Sequence, residues 1–303
     1  MCKKLVSVAL ATYNGEEYIE EFLESVLSQS YKNIELIIYD DCSTDSTVAI
    51  LKKIASKEPR ICFYQQKSNI GFVKNFESVL TKCSGDYIAL ADQDDIWEKN
   101  KIELLMKNIE DFDLIHSDAL LIDAKGEIFS NSYTNSSNKL VYPEKLEDII
   151  VNNPVTGCTT LVSQSLLVSA LPFPKNILVH DQWLACLAIT GRGIKYLDEP
   201  LIRYRQHDKN QIGAKSKKSI LYKLRNISII NKKNEFGLLN LIEELLKISK
   251  KDKINLKALK KYYTHILDDK WLYPLLFRLK RWDLFNKNQS FFKRLILLLQ
   301  VFK

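Results

Sequence analysis

Apolar residues in the N-terminal third of the chain form short runs that alternate with helical patterns. The runs are rich in β-branched residues and predict four strands: LVSVAL at 5–10, IELIIY at 34–39, ICFY at 61–64 and YIALA at 87–91. Between them, apolar residues recur three or four positions apart, as at Ile19, Phe22 and Val26, which predicts amphipathic helices. Strands that alternate with helices at this pitch favour right-handed crossovers and a mainly parallel sheet.

The pattern changes in the middle of the chain. Residues 118–151 are polar and irregular, and we expect a loop that acts as a lid, with one helix near PEKLEDII at 143–150. Apolar structure then resumes in four predicted elements: VTGCTTLV at 155–162, a helix near 164–170, an apolar helix that starts at HDQW, and a strand at 193–197. Beyond Gly213 the chain has the pattern of helices, with Lys and Arg throughout.

The composition is that of a folded protein in the interior of a cell. The chain has 303 residues, of which 46% are apolar, enough for one large domain or one domain with an appendage. No apolar run approaches the roughly 20 residues of a membrane span, and the N-terminus reaches Asn14 and paired Glu too early for a signal peptide. The six cysteines are scattered, without a C-x-x-C pair, so we expect reduced thiols and a cytoplasmic location.

Charge is divided unevenly along the chain. Residues 214–303 carry 22 Lys and Arg against 7 Asp and Glu, whereas the rest of the chain carries 22 against 30. We therefore divide the chain into an acidic domain at 1–213 and a basic helical region at 214–303. A basic region of this kind faces nucleic acid, an anionic lipid surface or only solvent.

The aromatic residues of the basic region favour the lipid surface. Trp271, Trp282, Phe291 and Phe292 stand beside Lys and Arg, a combination typical of helices that lie on a membrane. No nucleic-acid-binding motif appears, and we expect no nucleic-acid partner. The alternative is a helical domain that buries these aromatic residues against itself or against a second subunit in a homodimer.

Polar side chains follow the predicted strands at the points where the strands end. Asn14 follows the first strand, Asp41 the second, and the stretch DQDD at 92–95 the fourth. In open sheets of this class, ligands bind at the carboxyl ends of the strands. Three carboxylates within four residues repel one another unless a cation offsets their charge, which favours Mg²⁺ or Mn²⁺ shared with a diphosphate. A solvated acidic turn that caps the next helix is the alternative.

Two further polar residues have both a functional and a structural interpretation. Asp181 stands at the start of an apolar helix, where it is either an N-cap or a carboxylate that takes a proton from an incoming hydroxyl. His207, in YRQH, is either a hydrogen-bonded structural residue or a ligand. Spacing alone favours the structural alternative at both positions.

Seven motifs in order resemble the inverting glycosyltransferases of family 2, which act on nucleotide sugars. They span residues 4–213 and follow one another as VSVALATYNG, SQSYKNIELIIYDDCSTDST, N-x-G at 69–71, SGDYIALADQDDIW, VTGC, HDQW and YRQHDKN. The resemblance implies an α/β architecture called the GT-A fold, a Rossmann-like and mainly parallel sheet flanked by helices. Here the basic C-terminal helical region would follow it.

The resemblance also implies a role for each matching residue. Asp41 would contact a uracil or thymine ring, Asp92 the ribose, and Asp94 the metal. Asp181 would be the catalytic base, and His207 a further metal or phosphate ligand. The other residues expected to bind the nucleotide sugar are Ala11, Tyr13, Asn14, Asn69, Gly71 and Gln93. Those expected near the donor sugar and the acceptor are Asp95, Trp97, Gly157, His180, Gln182 and Trp183.

The motifs ADQDDIW, HDQW and YRQH look most like the branch of the family that contains rhamnosyltransferases of bacterial polysaccharides. His180 stands where the family often carries Glu, a substitution that this branch shares. The resemblance implies a single displacement in which Asp181 deprotonates a hydroxyl of a lipid-linked saccharide at the inner face of the cell membrane. A donor such as dTDP-β-L-rhamnose would then give an α-glycoside. A UDP-sugar donor is the main alternative.

Two other classes of protein also fit parts of the sequence. A nucleotidyltransferase would normally carry a Gly-rich, basic loop after its first strand, whereas ATYNGEEY is acidic with one Gly. A non-catalytic sugar-binding or scaffold protein would have no use for Asp94 and Asp181 together. Both remain alternatives to the transferase.

Overall fold

The computed structural model describes residues 4–137, 142–208, 220–249 and 252–268, together with Pro274 and Phe277, and for 220–233 the description covers the backbone. The strands within these ranges are β1 (Val6–Thr12), β2 (Ile34–Asp40), β3 (Ile61–Gln65), β4 (Tyr87–Ala91), β5 (Ile96–Trp97), β6 (Leu114–Ile122), β7 (Ile128–Ser130), β8 (Thr160–Ser163) and β9 (Ile194–Arg205). The helices are α1 (Ile19–Leu27), α2 (Thr47–Ala55), α3 (Phe72–Leu80), α4 (Lys101–Asn108), α5 (Tyr133–Ser137), α6 (Leu146–Asn152), α7 (Gln164–Ala170), α8 (His180–Thr190), α9 (Ile220–Ile248) and α10 (Lys253–Leu267).

The strands of the described residues form one mixed sheet in the order β3-β2-β1-β4-β8-β6-β9-β5, with β7 paired to β6. The four strands from β3 to β4 are parallel, as the alternation of strands and helices predicted. β8 then pairs antiparallel with both β4 and β6, and β5 pairs antiparallel with β9. The parallel prediction therefore describes the first half of the sheet, and the second half mixes both directions.

The stretch predicted as an irregular lid contains regular structure. Its first residues belong to β6, which lies inside the sheet and is buried at all but one of its positions. The polar sequence His116-Ser117-Asp118 hid this strand, because it interrupts the apolar run on which strand prediction depends. β7 and α5 follow, and α6 confirms the helix expected near PEKLEDII. Residues 138–141 lie outside the described residues.

The last strand is also longer than predicted. The apolar pattern indicated a strand at 193–197, whereas β9 continues to Arg205 across an irregular stretch near Pro200. This extension matters for the site, because it carries the motif YRQH back to the loop that follows β4. Arg205 donates its backbone N–H to a carboxylate of that loop, Asp95, at 3.0 Å.

Helices cover both faces of the sheet and enclose two apolar clusters. Successive residues of β1 alternate between them, since Ala9 belongs to one cluster and Val8 and Leu10 to the other. The cluster that contains Ala9 also takes in Leu241 and Tyr262 from the C-terminal helices. Apolar residues of α9 and α10 thus pack on the same core as α8.

The boundary that we predicted at residue 213 falls in a stretch, 209–219, outside the described residues. Of the aromatic residues that suggested membrane contact, Trp271, Trp282, Phe291 and Phe292 also lie outside the described residues. Phe277, another aromatic residue of the basic region, packs on Tyr262 with ring centres 5.1 Å apart. No helix in the described part of the chain is long and apolar enough to cross a bilayer. The division into two domains therefore stays a prediction, as does contact with a membrane.

α9 approaches the segment that leads into α8 very closely. At Gly237 the helix surface has no side chain, and the side chain of Leu178 occupies the space where a Cβ would be. Leu178 lies two residues before His180, the first residue of α8. The glycine thus allows α9 to pack directly against the entrance of α8.

We expect Gly237→Ala to lower the free energy of unfolding by about 1–3 kcal/mol, because the added methyl overlaps Leu178. In an open helical position the same change would instead stabilise the protein by about 1 kcal/mol. Urea denaturation measures the difference. Asn234→Ala, at an exposed position of the same helix, serves as the control and should not destabilise.

A double variant identifies the cause. In a Leu178→Ala background, Gly237→Ala should lose its cost or become stabilising, because the overlapping side chain is gone. If Gly237→Ala is as stable as the wild type in the presence of Leu178, the close packing of α9 on this segment is wrong.

Candidate active site

A cavity of about 770 Å³ opens at the carboxyl ends of β1, β2 and β4. It is the place where the alternating pattern predicted that loops and carboxylates would converge. Most of the predicted site residues line it: Ala11, Tyr13, Asn14, Asp41, Asn69, Gly71, Asp92, Gln93, Asp94, Gly157, His180, Asp181 and His207. The structure therefore brings these predicted residues together around one cavity, while the role of each stays a prediction.

The loop after β1 is held in place by its neighbours. Gln93 accepts a hydrogen bond from the backbone N–H of Tyr13 at 2.9 Å and donates one to its carbonyl at 3.0 Å. A Cβ at Gly15 would lie 2.5 Å from the Gln93 amide oxygen, so glycine lets this amide lie against the loop. Asn14 accepts from the backbone N–H of Thr44 at 2.9 Å and has a positive φ of 48°. Gln93, expected to bind the nucleotide sugar, thus uses its amide to position Tyr13.

Asp41 fixes a neighbouring part of the cavity wall. Its two carboxylate oxygens accept from the backbone N–H groups of Ile70 at 2.8 Å and Gly71 at 2.9 Å. Gly71 has a φ of 84°, which favours glycine, and it precedes the first residue of α3. The carboxylate therefore shapes the loop that contains Asn69, and it borders the cavity from that position.

The acidic loop after β4 meets the end of β9 at the cavity wall. The Nε2 atom of His207 lies 2.8 Å from the Oδ2 atom of Asp94. Asp92 is next to them, and burial raises its pKa to about 7, with further increases from the negative charges of Asp94 and Asp181. These groups gather negative charge that a cation would offset.

Asp95 and Trp97 do not line the cavity, contrary to our expectation for the sugar region. They lie beneath it and are 1% and 3% exposed. The ring of Trp97 packs edge-to-face on Phe22, and the ammonium of Lys101 lies 3.5 Å from the centre of that ring. The strand β5 turns the loop inward after Asp94, and a linear motif does not reveal this change of direction.

The start of α8 places Asp181 on the cavity. Its carboxylate accepts from the side-chain amide of Asn153 at 3.2 Å and from the backbone N–H of Gly157 at 3.3 Å. The N-cap of α8 is Val179, and Asp181 is the second residue of the helix, so the capping interpretation is wrong. The two hydrogen bonds orient a carboxylate that faces the ligand space.

Gln182 and Trp183, also expected near the sugars, point into the core. Gln182 donates to the carbonyl oxygen of Ile149 at 3.0 Å, and the indole of Trp183 donates to that of Ala170 at 3.1 Å. Successive residues of a helix are turned by about 100°, so the two residues after Asp181 face away from the cavity. They attach α8 to α6 and α7.

His180 is buried at the cavity wall. Its ring stacks on Phe76 with centres 3.9 Å apart, and neither ring nitrogen has a hydrogen-bond partner in the structure. Burial lowers the pKa of this imidazole to about 3, so the ring is neutral at physiological pH. A Cβ at Gly157 would lie 3.3 Å from the His180 Nε2 atom and 3.9 Å from the Asp181 Oδ2 atom. His180 and Asp181 thus flank one small space.

Several residues of the cavity wall were not predicted from the sequence: Glu17, Tyr18, Tyr133, Asn153, Thr156 and Tyr204. Tyr133 is placed by Asp118, whose carboxylate accepts from the Ser132 hydroxyl at 2.5 Å and from the Thr134 backbone N–H at 3.0 Å. Asp118 pairs with the hydroxyls of Ser132 and Thr134, which lie fourteen and sixteen residues later in the sequence. Contacts at such distances do not appear in the periodic pattern of apolar residues. Thr156 lies inside the motif VTGC, and Asn153 stands two residues before it, where a wider motif would have included it.

Two groups of side chains have the chemistry to hold a divalent metal. One is the pair of Asp94 and His207; the other is Asp92, Asp95 and Cys158, whose ligand atoms lie within 4.8 Å of one another. The second group is already next to a buried basic side chain, because Lys101 donates to the Cys158 carbonyl at 2.5 Å. It also includes a thiol, which Mg²⁺ and Mn²⁺ do not favour. The donor set of Asp94 and His207, open to the cavity, is the better fit.

Comparison with known proteins shows relatives along most of the chain. The model of the family "Glycosyl transferase family 2" matches residues 7–165. A dTDP-rhamnosyl transferase, RfbG of Shigella flexneri, is 32% identical over 68% of this chain and 74% of its own. An uncharacterised glycosyltransferase of Haemophilus influenzae is 27% identical over 96% of both chains. TuaG of Bacillus subtilis, named a putative teichuronic acid biosynthesis glycosyltransferase, is 28% identical over 67% of this chain and 79% of its own.

Solved structures confirm the expected α/β fold. TarS of S. aureus in complex with UDP-GlcNAc superposes with a TM-score of 0.58 over 96% of this chain and 92% of its own, at 20% identity. The mannosyltransferase PcManGT of Pyrobaculum calidifontis, solved with GDP-Man and Mn²⁺, has a TM-score of 0.59 over 98% and 79%, at 15% identity. The fold, the family match and the named relatives agree, and the chain belongs to glycosyl transferase family 2 and is a glycosyltransferase.

Proposed function

We propose that this protein transfers a sugar, with inversion, from a nucleoside diphosphate sugar to a saccharide hydroxyl in bacterial cell-surface polysaccharide synthesis. The observation that carries the proposal is the shared cavity of Asp181, at the start of α8, and the pair of Asp94 and His207, at the ends of β4 and β9. A proton acceptor and a site for the diphosphate then face one ligand space. The names of RfbG and TuaG support L-rhamnose as donor sugar and a surface polysaccharide as product.

Asp181 is the general base of the proposed reaction. The hydrogen bonds from Asn153 and Gly157 hold its carboxylate at the cavity. It takes the proton of the acceptor hydroxyl while the hydroxyl oxygen attacks the anomeric carbon and the nucleoside diphosphate departs. The displacement occurs in one step, so the configuration inverts, and dTDP-β-L-rhamnose would give an α-rhamnoside.

The diphosphate lies, in this proposal, against the wall formed by Asp94 and His207. These two side chains would hold Mn²⁺ or Mg²⁺, which supplies positive charge for the departing diphosphate. The loop with Tyr13 and Asn14 and the carboxylate of Asp41 border the nucleoside end of the cavity. Their fixed hydrogen bonds mean that the nucleotide enters a preformed pocket.

His180 contributes a neutral hydrogen-bonding group beside the base. Its unpartnered nitrogens would bind a hydroxyl of the donor sugar or the acceptor, because burying them without a partner is costly. The basic C-terminal region would hold the enzyme at an anionic membrane surface, where a lipid-linked acceptor resides. Alternatively, the same region would form the contact between two subunits of a homodimer.

We expect measurements of nucleotide-sugar binding to identify the donor. Calorimetry with dTDP-rhamnose, UDP-galactose, UDP-glucose and UDP-N-acetylglucosamine should give metal-dependent binding of dTDP-rhamnose, because Asp94 and His207 complete the diphosphate site. Asp94→Ala should lose the part of the affinity that Mn²⁺ adds. Asp111→Ala, the same change at an exposed acid, should keep it. Tighter binding of a UDP sugar would show that this sugar, and not rhamnose, is the donor. Binding of none of the four donors would favour the non-catalytic scaffold protein.

Asp181→Asn tests the base. The amide keeps the size of the carboxylate but accepts no proton, so we expect donor affinity within about twofold of the wild type and turnover lower by roughly 10²–10⁴-fold. Release of nucleoside diphosphate measures turnover even without an acceptor, since water then takes its place. A variant that retained a tenth of wild-type turnover would exclude Asp181 as the base.

His180 should make stability depend on pH. The unfolded chain binds a proton at this residue near pH 6.5, whereas the folded protein binds it near pH 3. Stability is therefore fully present above pH 6.5 and falls as the pH drops towards 3, by up to about 1.4 kcal/mol per pH unit. His180→Phe keeps the ring and removes this loss. A stability difference between the two proteins that stays constant from about pH 4 to 7 would contradict the buried neutral imidazole.

A further inference from the structure

Arg205 is an unusual residue for the interior of this protein. It ends β9 and is 2% exposed, the largest of the fully buried side chains in the described part of the chain. Burying a guanidinium is costly unless its N–H groups are paired. Apolar side chains would fill the same volume without this cost, so the contacts of Arg205 indicate what it does.

Those contacts join Arg205 to three separate segments. In the loop after β4, its Nε atom donates to the Asp94 carbonyl at 2.8 Å. In the turn between β6 and β7, it donates to the carbonyls of Asp123 at 3.3 Å and Ala124 at 3.2 Å. On α1, it donates to the Glu21 carboxylate at 2.6 Å. One side chain therefore fixes the positions of four chain segments, including its own strand.

The pattern of acceptors matters as much as their number. Arg205 bonds the main-chain oxygen of Asp94, and the carboxylate of Asp94 faces His207 instead, at 2.8 Å. The backbone N–H of Arg205 donates to Asp95, the next residue of the same loop, at 3.0 Å. His207 itself follows two residues after Arg205. Both members of the Asp94–His207 pair are thus set by one arginine, which donates to the main chain of Asp94 and not to its carboxylate.

We propose that Arg205 is a positioning residue that holds Asp94 and His207 in the arrangement that binds a divalent cation. This inference rests on the proposed function, in which the pair receives the metal. Preorganised ligands bind a metal more tightly than ligands that must be brought together, and loss of an outer-shell partner typically costs about 10–100-fold in metal affinity. Arg205 touches neither the substrate nor the metal in this account.

The test uses Arg205→Lys in the full-length protein. Lysine keeps the charge, but one ammonium on a flexible stem cannot reproduce the fork of donors that spans these segments. Free Mn²⁺ is measured by electron paramagnetic resonance during titration of the protein saturated with dTDP or UDP. We expect Mn²⁺ affinity to fall by about tenfold or more. Metal-free nucleotide binding, which a general loss of structure would change, should stay near the wild-type value, whereas the urea unfolding midpoint should fall because buried acceptors lose their donors.

Two variants calibrate the result. Arg203→Lys makes the same change two residues earlier, where the side chain is 42% exposed and paired with Glu98, and it should leave Mn²⁺ affinity unchanged. His207→Ala removes a proposed ligand and sets the scale for a full loss. Glu21→Gln removes the charged acceptor on α1, whose side chain is 54% exposed, and should weaken Mn²⁺ binding by about two- to fivefold without unfolding the protein.

The outcomes separate this inference from the proposed function. If the wild type binds Mn²⁺ and a folded Arg205→Lys binds it within twofold, the positioning role is overturned and the metal site stands. If Arg205→Lys fails to fold, an unchanged affinity in Glu21→Gln overturns the role instead. If the wild type binds nucleotide but no Mn²⁺, the proposed metal site fails first, and the role of Arg205 fails with it.

Discussion

The structure depends on how four carboxylates are kept together at the carboxyl end of the sheet. Asp92, Asp94, Asp95 and Asp181 would repel one another strongly in a site with little water. Two buried basic side chains, Lys101 and Arg205, lie near them and donate mainly to main-chain oxygens, and burial lowers the pKa of Lys101 to about 7. Burial also raises the pKa of Asp92 to about 7, so the guanidinium of Arg205 and protonation together limit the repulsion, while the carboxylates of Asp94 and Asp181 stay at the cavity.

This arrangement gives the two ends of the cavity different chemical groups. The loops near the proposed nucleoside end are fixed by backbone N–H groups that donate to the side chains of Gln93 and Asp41, so these polar groups have a structural role as well as a proposed role in binding. The other end has a carboxylate oriented by Asn153 and Gly157, and a neutral imidazole beside it. In the proposed reaction, a diphosphate paired with a divalent cation would lie in the first region next to Asp94, and a neutral sugar hydroxyl in the second.

The sequence predicted the parts of this structure that depend on local pattern. The strands and helices up to β4 followed from periodicity, and the cavity residues from Asn14 to His207 followed from motifs at the strand ends. It failed where contacts join distant segments. Asp118 and Ser132 lie far apart in sequence but place Tyr133, and the polar residues of β6 concealed a buried strand. The side chains of Gln182 and Trp183 point into the core because successive residues of a helix face different directions, which a linear motif does not show.

A crystal structure with Mn²⁺ and an intact donor tests the central claim most directly. The account predicts an anomalous scattering peak that is coordinated by Asp94, His207 and the diphosphate, with the anomeric carbon of the sugar in front of Asp181. A peak at Asp92, Asp95 and Cys158, or a nucleotide bound outside this cavity, would contradict it.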